Sequence, residues 1–123
     1  MTRPGRLPAV THPISVRPTG SHVTVRVGGV TVAATGRALS LAEASYPVVH
    51  YIPLEDVDQG LLHRTATRSY CPYKGDASYY SVTTPDGVTE EDIAWAYEEP
   101  YDAVKEIAGH VAFYANRAEI TIA

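Results

Sequence analysis

The chain is poor in several residue types, and each shortage excludes something. One cysteine in 123 residues rules out an internal disulfide and any zinc site built on several thiolates. No apolar run approaches the roughly 18 residues of a membrane-spanning helix, so no membrane partner is expected. Residues 1–18 carry arginines but no apolar stretch, so they do not read as a secretory signal, and a cytoplasmic location is the default expectation. The first 42 residues contain no Asp or Glu, only Arg3, Arg6, Arg17, Arg26 and Arg37 as charges. From Glu43 onward, five basic residues face fourteen acidic ones, and the whole chain carries a net charge of −4. The early arginines are scattered among prolines and strand positions, without a lysine cluster or adjoining aromatics, so nucleic acid is not expected as a partner. Phe and Trp occur once each, against nine tyrosines. What remains is ordinary: 45% hydrophobic and 20% charged residues describe a globular chain able to bury a core. Composition assigns no reaction.

Proline and glycine punctuate the chain. Pro4, Pro8, Pro13 and Pro18 crowd the start, and proline lacks the N–H that helix and central strand need. Residues 1–20 therefore read as a flexible leader and residues 21–123 as one folded domain. Val23, Val25 and Val27 alternate with Thr24 and Arg26, then Gly28-Gly29 precedes Val30 and Val32, which is the pattern of a β-hairpin. Residues 38–41 read as a short strand or a bend, and 48–52 as a strand closed by Pro53. Pro53 with Glu55 and Asp56 behind it suits one helical turn. Thr65 to Arg68 alternates, residues 77–83 read as a strand, and Pro85-Asp86-Gly87 as a turn. Ile93, Trp95 and Tyr97 fall on one side of a further alternating segment ending before Pro100. Val104 and Ile107 sit at helical spacing between Pro100 and Gly109. Residues 110–114 and 118–122, separated by Asn116-Arg117, read as a closing hairpin. The sum is a mainly β protein: seven or eight short antiparallel strands with one or two short helices, in a compact barrel or sandwich.

The run TRSYCPYKGDASYYSV at 67–82 resembles the signature of the family called domain of unknown function 427. TGRALSLAE at 35–43, VVHYIPLEDVDQGLL at 48–62 and DIAWAYEEPYDAVKEIAGHVAFY at 92–114 are similar to that family in order and spacing. The resemblance spans about residues 21–122 and implies a small β-tent fold, related in shape to Mss4-like domains. A nucleotidyltransferase-like label is sometimes attached to the family, without an established reaction. One departure is Tyr80, where the family often carries Trp.

Several residues are candidates for chemistry. Cys71, three positions from Lys74 in a turn, is either a nucleophile or a packed thiol. Lys74 beside Gly75 either points into a pocket to hold an anion or is an exposed loop charge. Tyrosine offers an apolar body with a polar tip, which suits a pocket wall as well as a barrel rim, and Tyr51 and Tyr79 are taken as ligand-binding candidates. Tyr79 and Tyr80 point to opposite faces of their strand, so at most one is expected in the core; Trp95 reads as core. His50, His63 and His110 lack metal-ligand spacing, and no metal or other cofactor is expected. His110 could serve as a general base or be a satisfied ring. Asp56 and Asp58 resemble a carboxylate pair for Mg²⁺, although successive-but-one positions on a helical turn diverge. Arg37 and Glu43 are candidates for a paired anchor.

Two classes of function, and a third, stay open. The first is a ligand-binding β-domain with a polar pocket drawn from Arg37, Glu43, Tyr51, Lys74, Tyr79 and His110, taking an anionic metabolite or nucleotide. The second is an enzyme using Cys71 or Lys74, or an Asp56/Asp58 metal site, for nucleotidyl-type transfer. The third is an interaction module pairing through its strand edges. Either a monomer or a homodimer is compatible with the sequence.

Overall fold

The computed structural model describes residues 5–123, so Arg3 and Pro4 of the expected leader lie outside the described residues. Within them are ten strands: β1 (Ile14–Pro18), β2 (Val23–Val27), β3 (Val30–Thr35), β4 (Leu39–Glu43), β5 (Val49–Pro53), β6 (Leu62–Cys71), β7 (Gly75–Thr83), β8 (Thr89–Ala96), β9 (His110–Phe113) and β10 (Glu119–Ile122). Two 3₁₀ segments, η1 (Leu54–Asp56) and η2 (Asp102–Ile107), are the only helical elements among the described residues. None is long and apolar enough to cross a membrane. All strand pairing is antiparallel. A seven-stranded sheet runs in the order β1-β4-β5-β9-β8-β7-β6, and a three-stranded sheet in the order β10-β2-β3. The two stack as a sandwich and not as a closed barrel.

The Gly28-Gly29 hairpin forms as its pattern indicates, with φ of 56° and 80° at the two glycines and Val27 opposite Val30. Positive φ at both central residues matches the right-handed twist of the flanking strands. Four other features of the chain differ from the pattern-based expectation. Ile14–Pro18 is not leader but strand β1, paired with β4 from Ile14 opposite Glu43 to Pro18 opposite Leu39. Its one proline, Pro18, is tolerated because β1 is a sheet edge, where a missing donor leaves no ladder position empty. The closing hairpin does not form: β9 pairs with β5 and β8, while β10 crosses to the small sheet and pairs with β2. Residues 102–107 make a 3₁₀ segment kinked at Val104, φ −129°, and not an α-helical turn. Finally, Ile93 does not share a side with Trp95 and Tyr97. Between Tyr80 opposite Ala94 and Val82 opposite Glu90 the register shifts, and Asp92 takes φ 50°, so this bulge turns Ile93 to the other face.

The large sheet buries both faces. One packs on the small sheet: Val23, Val25, Val27 and Val32 meet Ile52, Val82, Ile93, Val111 and Phe113. The other carries Leu41, Tyr51, Ala77, Tyr97 and Ala112, on which Val104 and Ile107 of η2 pack. Period-two alternation distributes neighbours between them, Tyr51 to one and Ile52 to the other. Tyr79 and Tyr80 point to opposite faces as their alternation indicates: Tyr80 is buried in the inter-sheet core, and Tyr79 packs half-buried against the other cluster because that face is covered too.

Ile52 is 1% exposed at the centre of the inter-sheet core. Ile52→Ala is expected to cost about 2–5 kcal/mol in urea unfolding, whereas Val88→Ala, at an exposed position, changes stability by less than about 0.5 kcal/mol.

Candidate functional site

The second face of the large sheet is concave. Strands β4 and β7 are four places apart in the sheet, about 19 Å if it were flat at ~4.8 Å per strand. Yet Lys74, in the turn just before β7, donates a hydrogen bond from Nζ to Glu43 Oε1 at the end of β4. The sheet must curl for that contact to exist. Side chains from η2 fill part of the concavity, and the space left is a cavity of about 390 Å³. Leu41, Tyr51, Tyr97 and Lys74 are its buried residues; Glu43, Val49, Tyr79, Trp95 and Tyr114 form half-buried walls, with Tyr46 at the rim. Six of the ten lining residues are aromatic.

The turn that carries Lys74 is built by the YCPYKG run. Cys71 pairs with Gly75 at the end of the β6–β7 ladder, and Lys74 N donates to Cys71 O at 3.2 Å. Gly75 has φ 112°, a backbone conformation that side-chain-bearing residues rarely adopt, so the turn calls for glycine there. Pro72 O accepts from Arg6 N at 2.7 Å. The Tyr73 ring stacks on His12 with centroids 3.8 Å apart and planes 7° apart. His12 Nε2 lies 2.7 Å from Glu43 Oε2, so the segment before β1 ties the Lys74 turn to the end of β4. Lys74 is 8% exposed, and its ammonium stands 5.9 Å from the Tyr97 ring centre. Tyr70 and Tyr101 join hydroxyls at 2.9 Å.

Burial alone would push the Glu43 carboxyl up, but hydrogen bonds from Lys74 and His12 outweigh it and hold the group below its ordinary value. Tyr51 and Tyr97 are pushed well above the usual phenol range by burial, and Tyr114 is raised by burial and by its hydrogen bond with Tyr79. These phenols stay protonated, so they present hydroxyl groups and not charges. Trp95 Nε1 donates to the Tyr51 hydroxyl at 3.3 Å, and its ring lies 4.5 Å from that of Tyr114.

The cavity gathers Glu43, Tyr51, Lys74 and Tyr79 from the sequence candidates, and leaves out Arg37 and His110. Arg37 does not pair with Glu43. It donates to Glu55 at 3.0 Å and Asp56 at 3.2 Å on the exposed surface, because η1 follows β5 to the side of the sandwich where β3 ends. Asp56 also accepts from Thr35 at 2.6 Å, while Asp58 accepts from Gly60 N at 3.0 Å, so the two carboxylates serve different partners. No group of three or more His, Cys, Asp or Glu able to hold a metal ion is found among the described residues. His110 Nδ1 lies 2.9 Å from Ala108 O, and His50 Nδ1 bonds Ser40 Oγ at 3.1 Å. Cys71 is half-buried against the apolar cluster beneath the cavity. Trp95, which reads as core, is a cavity wall. The sequence reading missed Tyr114, Tyr97 and His12. The first two were accessible through alternation with Ala112 and Trp95; His12 was hidden by its place among the prolines.

These features define a small antiparallel β-sandwich protein with a buried ion pair at the base of an aromatic cavity. The chain belongs to the family described as a domain of unknown function (DUF427), whose model matches residues 15–123. That span takes in all of β1 but Ile14, a strand which the sequence pattern had placed outside the fold. Comparison with curated proteins finds no match.

Unfolding returns the Glu43 carboxyl to its ordinary value near 4.5. Its contribution to stability is therefore complete above that pH and is lost as pH falls toward the lower folded-state value. Glu43→Gln removes this titration while Asp56 and Asp92, also depressed, titrate alike in both proteins. The variant should be less stable at neutral pH by on the order of 3 kcal/mol, because Lys74 is left buried without a counter-charge. Its melting temperature should also fall less steeply than that of the wild type as pH drops below about 4.5. Parallel slopes would show that Glu43 is not held down by the pair.

Proposed function

We propose that this protein binds a small molecule in the cavity of the curled sheet. The observation that carries the reading is the buried Lys74–Glu43 pair facing a cavity whose other walls are mostly aromatic. Ion pairs withdrawn from water cost free energy and are often no more stable than apolar residues in the same space. A pair retained at the base of a pocket supplies polar groups where a guest can be oriented. The volume, about 390 Å³, lies toward the small end of ligand sites and suits a guest of one or two rings.

An anionic guest, favoured when Arg37 and Lys74 are counted together, draws less support from the geometry. Arg37 is outside the cavity, and the charge of Lys74 is already met by Glu43. The enzyme reading draws less still. The Lys74 ammonium is engaged with Glu43, Cys71 packs against apolar neighbours, and Asp56 and Asp58 diverge.

Trp95 is the only tryptophan and stands in the cavity wall, so its emission reports occupancy directly. In a screen of small ring compounds against the intact protein, a binder should shift Trp95 emission and raise the melting temperature together. Ligand at about 100 times its Kd adds about 2.7 kcal/mol. Val49→Phe, which fills the cavity, should abolish both effects, and Arg37→Ala should preserve them. Binding that survives Val49→Phe places the site elsewhere.

A further inference from the structure

The Lys74 ammonium has three donors, and among the described residues its one hydrogen-bond acceptor is Glu43. A second direction is occupied by the Tyr97 ring face. Donor capacity therefore remains on a group that is almost fully buried beside the cavity. Glu43 is in a matching position. Its Oε1 receives Lys74 and its Oε2 receives His12, which leaves two of about four lone-pair sites on the carboxylate. A charged donor and a charged acceptor thus stand in contact at the base of the same cavity.

Charge decides what can meet both. An anion drawn to Lys74 would be set against Glu43, and a cation drawn to Glu43 would be set against Lys74. A neutral guest with an acceptor and an N–H on adjacent atoms satisfies both at once. The aromatic walls, with Trp95 and Tyr114 in contact, favour a flat ring system over a branched or flexible one. Resting on the cavity as the binding site, we infer that the ligand is a planar heterocycle presenting a lactam edge: its carbonyl accepts from Lys74 and its ring N–H donates to Glu43. Such hydrogen bonds to charged partners are strong, and a guest lacking one leaves a buried charged group unmet.

Three size-matched bicyclic probes test this on the wild-type protein. Quinazolinone carries the lactam edge, quinazolinone methylated on the lactam nitrogen lacks the donor, and naphthoate is a flat anion. Quinazolinone should shift Trp95 emission and raise the melting temperature in the millimolar range or below. Methylation should weaken binding at least about tenfold, and naphthoate should not bind. Equal binding of the methylated compound, or tighter binding of naphthoate, overturns the lactam assignment and leaves the cavity reading standing. The assignment also falls alone if all three fail while other ring compounds bind in a manner blocked by Val49→Phe. If no ring compound binds, both fall.

Discussion

The contact between Lys74 and Glu43 is the constraint on which the rest depends. An antiparallel sheet has an intrinsic twist but no intrinsic reason to bring its fourth neighbour back within reach of a side chain. Here the turn before β7 and the end of β4 are joined by an ion pair, and the same carboxylate accepts from His12. The stacked ring of Tyr73 then ties that histidine to the turn. The concavity is held from both sides, so its interior is preserved as space and not collapsed onto apolar side chains. The two charges are tolerated at that depth because each meets the other at close range. Glu43 keeps its charge for that reason, despite the burial that opposes it.

A sheet covered on both faces places unusual demands on alternation. Toward the small sheet it needs aliphatic side chains that interdigitate, and valine is the commonest residue in that core, followed by alanine. Toward the concavity it needs side chains that pack at the root and remain compatible with a polar interior. Tyrosine meets that need: Tyr51, Tyr79, Tyr97 and Tyr114 all lie on this face, with hydroxyls kept protonated where burial is deep. The imbalance of nine tyrosines against one phenylalanine follows from geometry of this kind, since phenylalanine supplies the ring without the hydrogen-bonding tip.

Much of the fold was legible because period-two alternation and glycine turns are local signals. Val23 to Val32 carries its hairpin within ten residues, and residues 77–83 form a strand as their pattern indicates. What escaped is non-local. Nothing in residues 118–122 shows that they cross to β2 instead of folding back on β9, because both partners offer the same ladder. The Ile93 stripe was misread because a bulge at Asp92 resets the face without changing composition. β1 was obscured by Pro13 just before it and by Pro18 at its end, the latter a residue that an edge strand accepts. At the site, Lys74, Glu43, Tyr51 and Tyr79 were within reach of residue chemistry. Their partners were not: opposite charge made Arg37 and Glu43 look suited, yet sheet order sends one to η1 and the other to the Lys74 turn.

The YCPYKG run takes on a different meaning in this light. A cysteine beside a lysine in a tight turn invites a nucleophile, but nearly every group in the run is engaged in holding the turn against the rest of the sheet. Pro72 accepts from Arg6, Tyr73 stacks on His12, Gly75 takes a φ that few residues tolerate, and Lys74 O receives Tyr101 N. Cys71 contributes a ladder position and a packed thiol. Of the run's side chains, Lys74 is the one that lines the cavity, and it arrives already paired. The run is therefore a device for delivering one ammonium, with a carboxylate beside it, to the base of an aromatic cavity. Its specificity as a sequence signature reflects how many separate contacts that delivery requires.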